Sequence, residues 1–245
     1  MTFGSTFGRV FSPTFQPSSQ VAAAVSTFVP TDITGCALWL DFADVSSMFT
    51  DDGTTNVSTN GDKIYRINDK SGNSNHARNS GTDTTRPTYL PNTKNGKSVG
   101  RFTDSAQQMI SWTSINTIRT VFWMFRAVTS TLAFSLGHAT AYHFHSTTTP
   151  PYYWYGGNAS TYVRQGNTRV NGQAINHETT IMPSSLSVCS LVTTGNVSAD
   201  NFSRDRTQSR WLNAELGELI IYTAALSDTD RGTVETYLNN KWAIY

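Results

Sequence analysis

The sequence predicts an all-β fold: a two-sheet antiparallel sandwich with a short C-terminal helix and an extended N-terminal arm. Three observations predict it. From residue 31 onward, short apolar, β-branched and aromatic runs recur, separated by turn sequences rich in Gly, Asn and Asp. Helical periodicity is confined to residues 227–242. Charged residues are only 14% of the 245, against roughly 25% in an average globular domain. Thr, Ser and Asn take the polar positions instead, which suits exposed strands and loops.

Taken in order, residues 1–30 stand apart. Phe3, Phe7, Phe11 and Phe15 recur every four residues among Gly4, Gly8, Pro13 and Pro17. Those glycines and prolines argue against a stable helix, and in an extended chain an even spacing puts the four rings on one side. Thirty residues cannot bury four phenylalanines by themselves. The segment is therefore expected to be a docking arm that packs on the body, on a sister subunit or on another protein, with residues 18–24 as its tether.

Residues 31–245 form the predicted domain. Residues 37–42 open the series of strands; Asp51-Asp52-Gly53 and Asn60-Gly61-Asp62 are turn sequences, and 63–67 form a strand after them. A long polar loop covers 68–77. Strands follow at 99–102 and 109–112, and then at 120–126, which has no polar face and so is read as a central strand buried on both sides. Further strands are expected at 132–136, 142–145, 161–165, 168–170 and 186–192, with Asn171-Gly172 as a hairpin turn. The last strand is Glu218-Leu219-Ile220-Ile221-Tyr222. A helix follows, capped by Ser227, with Asp228 and Asp230 in its first turn. Its apolar stripe is Val234, Tyr237, Leu238 and Trp242, with Arg231, Glu235, Asn239 and Asn240 mostly on the other side. Cys36 and Cys189, each beside apolar residues, are read as free thiols.

The stretch GELIIYTAALSDTDRGTVETYLNNKW resembles the C-terminal signature of concanavalin A-like (laminin-G-like) jelly-roll domains of phage and bacterial surface proteins. Residues 37–41 with the loop 68–77, and 86–89 with 95–102, match the same family, so the resemblance spans about residues 30–245. It implies a jelly-roll sandwich, a fold that hosts lectins, hydrolases and inert adhesive modules alike. The leader FGRVFSPTFQP resembles the N-terminal anchors of phage virion proteins.

Chemistry-bearing patterns are sparse. A glycosidase needs two carboxylates facing one cleft, but Glu215 and Glu218 are three apart, which puts them on opposite faces of a regular strand. The E-x-D-x-E pattern of glucanases is missing, and no phosphate loop, Ser-His-Asp order or Cys-His zinc spacing occurs. No enzymatic activity is expected. His143 and His145 share one face of a predicted strand, near His138, as a transition-metal pair or a ring in a trimer, yet two ligands do not complete a site. Asp41, Asp44, Asp51, Asp52, Asp62 and Asp69 cluster early, and the resemblance implies calcium in loops near a sheet edge, with Asp41 and Asp69 as ligands. No D-x-D-x-D-G loop is present, and no cofactor other than calcium is considered. Tyr152, Tyr153, Trp154 and Tyr155, followed by Asn158, offer flat faces and an amide for a glycan, or else core or interface packing.

Net charge is +1, so nothing marks a nucleic-acid or anionic-membrane partner, and no apolar run reaches the roughly 18 residues of a membrane span. The expected function is that of a non-enzymatic structural protein on the surface of a phage virion, as a capsid decoration or fibre. Residues 1–30 would dock on other virion proteins, and the chain would form a homo-oligomer, a trimer suiting either location. The alternative is a tail adhesin binding a host-surface glycan or receptor, with a glycan hydrolase third.

Overall fold

A computed structural model describes residues 1, 2, 4, 27–128, 136–146, 152–154 and 156–245. The four arm phenylalanines, Tyr155 and most of the expected strand at 132–136 lie outside the described residues. The described chain is mostly β-sheet, with antiparallel pairing throughout and two helices.

Its centre is one long strand, β7 (Ile110–Ala127), preceded by β1 (Cys36–Asp41), β2 (Met48–Phe49), β3 (Arg66–Ile67), β4 (Ala77–Arg78), β5 (Thr88–Lys94) and β6 (Lys97–Phe102). After it come helix α1 (Thr161–Arg164), β8 (Asn167–Val170), β9 (Gln173–Ala174), β10 (Ser187–Phe202), β11 (Ala214–Tyr222) and helix α2 (Asp228–Trp242). One path of hydrogen-bonded neighbours runs β2-β3-β4-β7-β10-β8-β9; β11 joins the second edge of β7 and also pairs with β1 and β6, and β6 pairs with β5.

Two expected strands, 109–112 and 120–126, are thus one. The residues between them (Thr113 to Arg119) contain no Gly or Pro to break the strand, and Ile115 and Ile118 are buried at a spacing of three. A regular strand would alternate them across the sheet. Register shifts against β10 between Val192 and Asn201 absorb the mismatch. Residues 120–125 are each at most 1% exposed, as expected of a strand flanked on both sides, here by β10 and β11.

The two faces of this centre feed two apolar clusters. Val121, Trp123 and Phe125 join Leu38, Leu40, Met48, Ile67, Phe102, Leu191, Phe202, Leu219 and Ile221 in the larger one. So many strands sharing one interior require the sheet to bend around it. Phe122 and Met124 face the smaller cluster with Trp39, Val188, Ile220 and Tyr222, and α2 covers it with Val234, Leu238 and Trp242. Burial of each such side chain contributes about 1.5–3 kcal/mol.

Three local expectations hold. Asn171 (φ 49°) and Gly172 (φ 75°) make the left-handed pair of a two-residue hairpin joining β8 and β9. The Ser227 hydroxyl accepts the Asp230 amide at 3.1 Å, capping α2. Cys36 and Cys189 are free, and burial pushes each thiol up to about 12.

Four expectations are corrected. Residues 161–165 are not a strand: the Ser160 hydroxyl accepts the Val163 amide and starts the one-turn α1, where a cap outweighs the β-preference of Thr161 and Val163. Residues 142–145 form no strand, so His143 and His145 do not share a strand face. Of 63–67, only Arg66 and Ile67 lie in a strand. In α2, Arg231 and Glu235 are buried, not on the outer side.

Candidate functional site

Under α2 lies a polar lattice that seats the helix. Glu218 is fully buried and accepts from Trp39 Nε1 (2.7 Å), Lys241 Nζ (2.8 Å), Tyr237 Oη (2.9 Å) and Trp242 Nε1 (3.1 Å). Burial, with Asp41 nearby, raises its carboxyl pKa. Lys241 also reaches Asp41 (2.7 Å), and Lys70 bridges Asp41 (3.0 Å) and Asp44 (2.9 Å). Lys70 also sits 4.7 Å over the Trp39 ring. At the other end of the helix, Arg231 donates to the Ser190 hydroxyl and carbonyl and to Asn167, and pairs with Glu235 at 3.3 Å. Desolvation lowers the Arg231 pKa to about 10. These buried groups are satisfied by one another, which is how such charges persist inside a fold.

Glu215 and Glu218 do not sit on opposite faces. A bulge between Leu216 and Glu218 resets the alternation of β11. Leu216 and Leu219 therefore both enter the larger cluster, and the two glutamates share the other face. They are nevertheless spoken for separately, because Glu215 takes a two-pronged bond from Arg126, with both contacts at 2.9 Å.

Of the candidate metal ligands, the two aspartates are likewise engaged, whereas His143 Nδ1 is buried without a hydrogen-bond partner. Asp41 meets its two lysines. Asp69 accepts from the Trp39 amide, the Ser71 amide and hydroxyl and the Asn75 amide. The loop it organises lends Lys70 N–H to the Trp39 carbonyl, so it covers the free edge of β1. His145 is buried with Nδ1 2.7 Å from the Ser146 carbonyl, and burial keeps both His143 and His145 below the ordinary imidazole range. Among the described residues no group of three or more His, Cys, Asp or Glu is placed to hold a metal ion.

The expected glycan stretch is divided. Tyr153 and Trp154 are 1% and 2% exposed and belong to the larger cluster, with Trp154 Nε1 donating to Thr168 and Tyr153 Oη 3.1 Å from Cys189 Sγ. Neither offers a face to a ligand, because the rings fill the core beside Trp123 and Phe144. Tyr152 is half-buried and bridges Ile181, and Asn158 is exposed.

An open groove of about 830 Å³ runs along the outer side of α2. Thr229, Gly232, Thr233 and Thr236 form one wall, and Thr27, Phe28 and Val29 another. Phe28 stands edge-on to Tyr237 at 5.9 Å, and Tyr222 Oη donates to the Pro30 carbonyl at 2.8 Å. Residues 28–30 thus belong to the body, inside the range expected for the arm. The sequence signal that could have found the groove is the run of small residues at helical spacing in α2. A Cβ added at Gly232 would meet nothing within 4 Å. No helix among the described residues is long and apolar enough to cross a membrane. Compared with known proteins, the chain matches no protein-family model and no curated protein.

Proposed function

We propose that this chain is a non-enzymatic structural protein of a phage particle. Its concanavalin A-like jelly-roll sandwich is displayed on the virion surface as a capsid decoration or fibre, in a homo-oligomer for which a trimer suits either place. The residues preceding Thr27 are its docking arm. The supporting observation is the α2 groove: Phe28 and Val29 root the arm in the smaller cluster, directly beside an open surface of small residues. An aromatic segment leaving from that point and a shallow groove next to it form one continuous surface for another virion protein.

Deletion of residues 1–26, which spares Phe28, tests the reading. The truncated chain is expected to keep its circular-dichroism spectrum and melting temperature but to be lost from purified particles. Normal incorporation of the truncated chain overturns the docking role.

A further inference from the structure

A second opening is built from different elements. Asn79, Thr85, Gln107, Met109, Arg204, Gln208 and Trp211 line a cleft of about 290 Å³, near the lower end of ligand clefts, roughly 300–1,000 Å³. It lies where β7 begins and β10 ends, at the Ile110–Phe202 pair, whereas α2 packs on Phe122, Met124 and Val188 further along these strands.

We propose that this cleft binds a saccharide that carries a carboxylate. The first support is Arg204. Among the described residues every other arginine meets a carboxylate, a carbonyl or a ring: Arg66, Arg78, Arg86, Arg101, Arg126, Arg169, Arg210 and Arg231 pair with acids, Arg119 and Arg164 with carbonyls, and Arg206 with Tyr142. Arg204 alone has none of these, and its Nε is buried without a hydrogen-bond partner. A buried donor left unpaired is destabilising, and a carboxylate is the acceptor a guanidinium fork fits best.

Trp211 is the second support. Its backbone bridges that of Arg204, and both residues line the cleft. The ring is half-buried, and its electron-rich face suits the C–H face of a sugar ring. Gln107 and Gln208 stand exposed at the rim, both in left-handed turns (φ 57° and 55°) held by bonds to the Asp104 and Asp205 carbonyls. Each amide both donates and accepts, as paired sugar hydroxyls require. Asn79 is a positioning residue: its side chain bonds the Thr85 and Met109 carbonyls and the Gly81 amide, and so sets the walls. Isothermal titration of the isolated full chain tests this, so its failure leaves the particle reading untouched.

Tetragalacturonate, sialyllactose and a hyaluronan tetrasaccharide are titrated beside neutral maltotetraose and a tetraglutamate peptide. At least one acidic saccharide is expected to bind, at least about tenfold tighter than either control. Arg204→Gln should remove that preference and Trp211→Ala should abolish binding, with Trp211→Phe restoring part of it. Should Trp211→Ala fail to fold, the exposed pair Gln107→Ala and Gln208→Ala is expected to weaken binding about fivefold or more. No binding of any acidic saccharide, equal binding of maltotetraose, tighter binding of the peptide, or unchanged affinity in Arg204→Gln would each overturn the proposal.

Discussion

Arg231 shows how a single side chain reverses a surface reading. In sequence it falls on the polar side of a helix; in the fold it is 1% exposed and clamps Ser190, Asn167 and Glu235. Removing one partner of a buried pair strands the other charge, so Arg231→Ala is expected to lower unfolding free energy by about 3–5 kcal/mol. Adding Glu235→Leu to Arg231→Met should restore most of it; urea denaturation measures both. Asp51, in a surface turn, is the counterpart. Amides of Thr55, Thr54 and Gly53 hold its carboxyl at about 2, below the ordinary 3.8. The folded state therefore binds fewer protons than the unfolded chain in that window, so stability is lost as pH falls from near 4 towards 2. The urea midpoint is expected to drop over this range, and Asp51→Asn should make the drop shallower.

At the level of the element, strand length was the least legible feature. The apolar runs 120–126 and 218–222 were plain from residue type, yet β7 and β11 extend well past them as Ile110–Ala127 and Ala214–Tyr222. Bulges are the reason. They break the period of two on which strand reading rests, and Glu215 and Glu218 come to share a face for the same cause. Gly217 marks that bulge in β11: a Cβ there would stand 2.6 Å from Trp242 Cη2 and 3.1 Å from Met124 Cγ. Gly217→Ala should therefore push α2 off the sheet at a cost of about 1–3 kcal/mol, read as a lowered melting temperature with reduced burial of Trp242 in fluorescence. Helix α2, by contrast, was legible from end to end, because its cap and its apolar stripe are local signals.

For the whole molecule, the strands that pair on both sides and bury both faces should open last. Hydrogen exchange is expected to be slowest at residues 121–125, 188–191 and 219–221, and fastest in the exposed turns at 51–55 and 206–209. Comparable protection in the turns would show that the two apolar clusters do not hold the centre of the sheet. The candidate sites follow the same logic. Trp154 reads as a sugar platform from sequence because four aromatics stand between turn formers, and only burial distinguishes a core ring from a presented one. The groove on α2 and the cleft at Trp211 each gather residues more than one hundred positions apart. No spacing rule relates such residues.

The sequence by itself determined the all-β class, the doubly buried strand at 120–126, the Asn171-Gly172 hairpin and the capped final helix. Each depends on conformational preference or hydrogen bonding within a few residues. Tertiary structure alone decided which strands fuse through bulges, which face Glu218 and Arg231 occupy, and which arginine among the described residues is left without a carboxylate, carbonyl or ring. Those outcomes depend on what distant segments place opposite each side chain, and burial and charge pairing are settled there.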